Sequence, residues 1–124
     1  SDIICTTTPS TTPVLPDDKE LLRGKCIIAI GSYMPEMREI PDAVLDLVDN
    51  VYIELPYACE ESGDLSQPLA SGKLTKDRIK LMHEYLVSVE KEIKEGQTTY
   101  FKSVGMGLFD VCIAEKLYEV AKEK

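Results

Sequence analysis

The chain has 124 residues, 44% of them apolar, and a formal net charge of −8, which suits one compact domain. An acidic balance with a pI near 4.6 argues against nucleic acid and anionic membrane surfaces as partners. No apolar run approaches the roughly 20 residues of a membrane span, so no membrane attachment is expected. The cysteines, Cys5, Cys26, Cys59 and Cys112, lie far apart with no C-x-x-C pair. Cys5, Cys26 and Cys112 stand inside apolar runs, where a free cysteine behaves as a small hydrophobe. Buried, reduced thiols are therefore expected. The opening residues are polar and show no basic stretch leading into an apolar one, which adds the expectation of a cytoplasmic setting.

In chain order, D-I-I-C-T-T at 2–7 reads as a short strand. The hydroxyl-rich stretch that follows, broken by Pro9 and Pro13, reads as a loop, because proline removes a backbone donor and fixes φ. Residues 17–22 make a turn or two of helix before Gly24. Cys26 to Ile30 is an unbroken apolar run, the pattern of a central parallel strand covered on both faces. Gly31 and Ser32 end it. Ligands of open α/β sheets bind just past the carboxyl ends of strands, which is where Gly31, Ser32 and Tyr33 would sit. Pro41 and Asp42 start a short helix through Leu47, with Ala43, Val44 and Leu47 turned inward, and V-Y-I-E-L at 51–55 is a third strand.

Residues 57–72 predict a helical turn around Cys59, then a Gly63-Asp64 turn and a loop. Ile79, Leu81, Met82, Leu86, Val89 and Ile93 recur near a helical period and predict a helix over 77–94. His83 falls beside that stripe, without a partner at metal spacing, and is expected on its surface. T-T-Y-F-K-S-V-G at 98–105 is a fourth strand with a glycine exit. A last helix over 106–121 is apolar around most of its circumference and is expected to be buried against more than one surface.

Strands alternating with helices predict an α/β fold with a mainly parallel sheet of about four strands and flanking helices. No G-x-G-x-x-G, P-loop, zinc-spaced cluster or Ser/His/Asp set is present; G-M-G at 105–107 is a weak match to the first. An apolar strand so near the start of the chain leaves an edge to be paired by a neighbouring chain or covered by the last helix. The pattern is that of the C-terminal half of a doubly wound, Rossmann-like domain.

Four strings in series carry a resemblance: D-I-I-C-T-T-T-P-S-T-T-P-V-L, R-G-K-C-I-I-A-I-G-S-Y-M-P-E-M-R-E-I, E-S-G-D-L and T-T-Y-F-K-S-V-G-M-G-L-F-D. In order and spacing they resemble the ornithine cyclodeaminase/mu-crystallin family, NAD(P)-dependent enzymes acting on amino acids or their imines. The resemblance implies the C-terminal part of the family's Rossmann domain, from its fourth strand onward. The dinucleotide fingerprint and the substrate and dimerisation domain would lie in the remainder of the polypeptide. It implies three cofactor-facing loops: Thr8, Pro9, Ser10 and Thr11; Ile30, Gly31 and Ser32; and Lys102, Ser103, Val104 and Gly105. It assigns no catalytic residue and no metal ligand here.

At the position where the cyclodeaminase and alanine dehydrogenase branches carry an aspartate, this chain places Tyr33. A phenol stays protonated near neutral pH and cannot take over a carboxylate's role. With Pro35, Arg38 and Glu39 in the P-x-x-R-E string, this favours imine reduction over ornithine cyclisation. The expected cofactor is NAD or NADP, and the expected substrate is a cyclic imino acid or amino acid. The chain alone is expected to be inactive and to bind NAD(P) weakly or not at all, since the pyrophosphate-binding helix N-terminus is missing. The alternative is a non-enzymatic binding or interaction module. A homo-oligomer joined through the first strand is a further expectation.

Overall fold

The computed structural model describes residues 1–88 and 93–123. The described elements are β1 (Ile3–Thr6), α1 (Lys19–Leu22), β2 (Cys26–Ala29), α2 (Asp42–Leu47), β3 (Val51–Ile53), α3 (Ala58–Glu61), α4 (Gly63–Ser71), a 3-10 turn (Lys76–Arg78), β4 (Ile79–Leu81), α5 (Met82–Val87), β5 (Thr99–Lys102) and α6 (Gly107–Lys122). The strands form one sheet in the order β1-β2-β5-β3-β4, with every pairing parallel. An α/β fold with a parallel sheet was expected, but there are five described strands rather than about four. Parallel strands share a direction, so every strand exit lies along one edge. The exits of β1, β2 and β5 are neighbours there.

The register puts Ile4, Ile27, Tyr100, Val51 and Ile79 in one row across the sheet, followed by Thr6, Ala29, Lys102, Ile53 and Leu81. This face carries the core, where Ile27, Val51 and Ile53 pack with Leu22 of α1, Val44 and Leu45 of α2, Ala58 of α3 and Leu65 of α4. The opposite row, Cys5, Ile28, Phe101 and Tyr52, is only partly covered. Tyr52 packs edge-to-face on Tyr85 of α5 at 5.2 Å, whereas Ile28 and Phe101 are half-buried and Cys5 is exposed. The opening strand is thus not covered on both faces by the described residues. Cys5 and Cys112 are exposed and Cys26 and Cys59 half-buried, so none of the four is a buried thiol as expected. All four are free, and no cluster that could hold a metal occurs among the described residues.

Two elements depart from the sequence pattern. The helix expected over 77–94 begins as strand β4 and becomes helical only at Met82; Val89 lies outside the described residues. The apolar spacing of Ile79, Leu81 and Met82 fits either structure, and the free edge of β3 decides it. Arg78 fixes the start, donating to the carbonyls of Leu45, Val48 and Asp49 at 2.7, 2.6 and 3.0 Å and so satisfying the open C-terminus of α2. Gly63 and Asp64, expected in a turn, instead open α4. Ser62 is the N-cap, its hydroxyl accepting from the Asp64 amide.

The last helix, α6, contains no buried residue. Leu108, Val111, Ile113, Leu117 and Tyr118 are each about 60% exposed. Neither burial against two surfaces nor coverage of β1 by this helix occurs among the described residues. An apolar circumference says that a helix is made to be covered; it does not say by what. Among the described residues no helix is long and apolar enough to cross a membrane. For the chain in isolation, Leu65→Ala, at a fully buried site, is expected to cost about 2–5 kcal/mol by cavity formation. Leu117→Ala on α6 is expected to cost under about 0.5 kcal/mol; chemical denaturation of both variants checks the contrast.

Candidate functional site

The exit loops of β1, β2 and β5 converge on the carboxyl edge of the sheet. Between the first two, the ladder continues past the strands: the Ile30 amide donates to the Thr6 carbonyl at 2.9 Å. The Ser103 amide donates to the Ala29 carbonyl at 3.0 Å, tying the third loop to the second. Farther out, the Arg38 amide donates to the Ser10 carbonyl at 2.8 Å and the Val14 amide to the Glu39 carbonyl at 2.8 Å. Thr8 to Thr11, Ile30 to Ser32 and Lys102 to Gly105 therefore lie on adjacent strand exits.

A buried carboxylate joins the first two loops. Glu39 accepts from Thr6 Oγ1 at 2.9 Å, from the Gly31 amide at 2.8 Å and from the Thr8 amide. Burial opposes its ionisation, but the donors of Thr8, Thr6 and Gly31 outweigh that and hold its carboxyl below the ordinary value of 4.5. Gly31 is required by space. A Cβ built there would lie 2.2 Å from both the amide and the carbonyl of Thr8 and 2.6 Å from Glu39 Oε1.

The E-S-G-D string holds the loop between β2 and α2 from behind. Asp64 Oδ1 accepts from the Glu39 and Ile40 amides at 2.7 and 2.9 Å. Ser62 and Ser32 share a hydroxyl contact of 2.8 Å, and the Ser32 hydroxyl lies 2.8 Å from the Met37 carbonyl. The Gly63 amide donates to Met34 at 3.0 Å, and a Cβ at Gly63 would meet the Met37 carbonyl at 2.1 Å. The other oxygen of Asp64 faces Lys102 Nζ at 3.5 Å, an ion pair in which both side chains are fully buried and neither atom gains a hydrogen bond. Burial pushes the Asp64 carboxyl up and the Lys102 amine down, each toward its neutral form.

Lys102 thus points into the core beneath the edge, while Ser103, Val104 and Gly105 continue along it. A second buried carboxylate, Glu54, shapes this third loop, accepting from Ser103 Oγ at 2.9 Å and from the Val104 amide. The Tyr57 hydroxyl adds a bond to the Gly105 carbonyl at 2.9 Å. Toward solvent the edge presents Pro9, Thr11, Ile30, Tyr33 and Gly105. Glu39, Glu54 and Asp64 were not among the expected site residues. Their only signal was that Glu39 and Asp64 belong to short motifs of otherwise unassigned purpose, and Glu54 is an acid at the end of an apolar strand.

Gly31→Ala is expected to force the two loops apart and cost about 1–3 kcal/mol, read by thermal or chemical denaturation. The lowered carboxyl of Glu39 contributes stability that is present above its ordinary value of 4.5 and lost as pH falls through the lower folded value. The stability difference between the native chain and Glu39→Gln should therefore be level above about pH 5 and shrink below about pH 4. Asp64 and Lys102 remain in both proteins but feel the Glu39 charge, so the difference reports Glu39 together with its coupling to that pair. A gap that widens in acid would contradict this.

The ornithine cyclodeaminase/mu-crystallin family pattern matches residues 1–124. A Delta(1)-pyrroline-2-carboxylate reductase of Bacillus cereus is 37% identical over 127 aligned residues, which cover 100% of this chain and 38% of that protein. Among solved structures, a probable ornithine cyclodeaminase from Bordetella pertussis superposes with a TM-score of 0.79 at 30% identity, covering 100% of this chain and 40% of the other. The Thermococcus litoralis Delta(1)-pyrroline-2-carboxylate reductase, solved with NADH and L-proline, superposes with a TM-score of 0.79 at 26% identity, covering 99% of this chain and 38% of that one. The chain therefore spans about 38% of the length of the curated relatives it matches. It belongs to the ornithine cyclodeaminase/mu-crystallin family.

Proposed function

We propose that residues 1–124 are the C-terminal part of the nicotinamide-binding domain of a cytoplasmic NAD(P)-dependent enzyme that reduces a cyclic imino acid. The observation that carries this reading is the convergence of three loops on the adjacent exits of β1, β2 and β5. Strand exits of an open parallel sheet are where such ligands bind. Pyrroline-2-carboxylate reductases among the relatives support the substrate class.

The residues suit a nicotinamide. Gly31 has no side chain to stand between the loops, Ile30 offers an exposed apolar surface, and Lys102 is turned away into the core. NAD or NADP, when bound, supplies a hydride. Thr8, Pro9, Ser10 and Thr11 would lie along the dinucleotide, Ile30, Gly31 and Ser32 beside the nicotinamide, and Ser103, Val104 and Gly105 over it. Tyr33 is 54% exposed beside this edge and supplies no carboxylate, which favours imine reduction over ornithine cyclisation.

The remainder of the polypeptide would cover the Cys5, Ile28 and Phe101 face and helix α6. The outer edge of β1 would take a strand from it or from a second copy. The full-length protein is expected to oxidise NADH or NADPH when given Delta(1)-pyrroline-2-carboxylate and to release no ammonia from ornithine; absorbance and ammonia assays check both. Residues 1–124 alone should bind either nucleotide weakly or not at all by calorimetry. Cofactor binding without turnover of any cyclic imine would favour a non-enzymatic binding protein. Ornithine cyclisation would overturn the choice of reaction.

A further inference from the structure

We propose that Glu39 is the positioning residue of the cofactor edge, holding the exit loops of β1 and β2 at one separation so that Thr8 and Gly31 face the nicotinamide cofactor together. This role rests on the nicotinamide-binding function proposed above. The Glu39 side chain is fully buried, and its oxygens accept from Thr6 at the end of β1, Thr8 in the loop after it and Gly31 in the loop after β2. Its main chain is anchored as well: the amide donates to Asp64 Oδ1 at 2.7 Å and the carbonyl accepts from Val14 at 2.8 Å. The acid therefore bridges β1, β2 and the start of α4.

All three side-chain partners are donors, so the site calls for a group that only accepts. An ionised carboxylate is such a group; a carboxamide would turn an NH2 toward one of the donors. Bonds to an ionised acceptor are shorter and stronger than neutral ones and so define a distance more sharply. Lys102, buried beneath the same edge, faces Asp64 at 3.5 Å and makes no hydrogen bond to Glu39, so the direct partners of the Glu39 carboxylate are the donors after β1 and β2. Losing its charge would release both loops at once. The absence of room for a Cβ at Gly31 shows how close the loops are held.

The test is made in the full-length protein. Glu39→Gln is expected to raise the Kd and KM for the nicotinamide cofactor about tenfold or more, since one lost charged hydrogen bond is worth a tenfold change. It should leave kcat at saturating cofactor within about twofold if the lost energy is spread evenly between ground and transition states. Amide exchange at Thr8 and Gly31 should quicken. Leu22→Ala, a buried site on α1 near the opposite edge, should lower stability without changing cofactor affinity or exchange at those two amides. If Glu39→Gln does not fold, Thr6→Val removes one donor at similar size and should shift affinity and exchange in the same direction. Unchanged affinity in a folded Glu39→Gln protein, or an equal loss in Leu22→Ala, overturns the role of Glu39 and leaves the function standing. Absence of nicotinamide binding by the unaltered protein overturns both.

Discussion

The burial of Glu39 is the constraint on which the edge of this sheet depends. A carboxylate with no exposure is tolerated only where donors replace the water it has lost. Here the donors come from two different loops, so satisfying the charge and assembling the edge are one event. Asp64 repeats the device one layer back. Its first oxygen holds the Glu39 and Ile40 amides, and its second meets Lys102. A buried ion pair of this kind is weak evidence for stability, because desolvation offsets much of the attraction. The geometric effect of Asp64 comes from its first oxygen, whose bonds to the Glu39 and Ile40 amides fix where the loop between β2 and α2 runs.

The three loops are shaped by different acids. Glu39 serves the loops after β1 and β2, while Glu54, at the exit of β3, serves the loop after β5. Since β5 lies between β2 and β3, both acids act on neighbouring strand exits. Lys102, for which the family resemblance implies a place against the cofactor, sits beneath this arrangement, while the backbone from Ser103 to Gly105 remains available along the edge.

Away from that edge the structure is unevenly covered. One sheet face is packed by α1 to α4, with Leu22, Val44, Ala58 and Leu65 meeting Ile27, Val51 and Ile53. The other face leaves Ile28 and Phe101 half-buried, and α6 has no buried residue. Apolar surface in this amount is the mark of a surface made for contact. It accords with a chain that spans about 38% of the curated relatives it matches.

By itself the sequence determined the alternation of strands and helices, the loops after Thr6, Ala29 and Lys102, and the family. These follow from local spacing, from proline and glycine as chain breakers, and from motifs read in order. It misplaced what depends on neighbours. Ile79 to Leu81 had a spacing compatible with helix or strand, and only the free edge of β3 made it a strand. Gly63 read as a turn because glycine is a poor helix former; it opens α4 because no side chain fits against the carbonyls of Pro35 and Met37. The apolar circumference of α6 was legible, but the absence of a covering surface was not. Above all, nothing local marks Glu39, Glu54 or Asp64 as buried. An acid's burial is decided by donors brought from distant parts of the chain, and only the tertiary structure brings them.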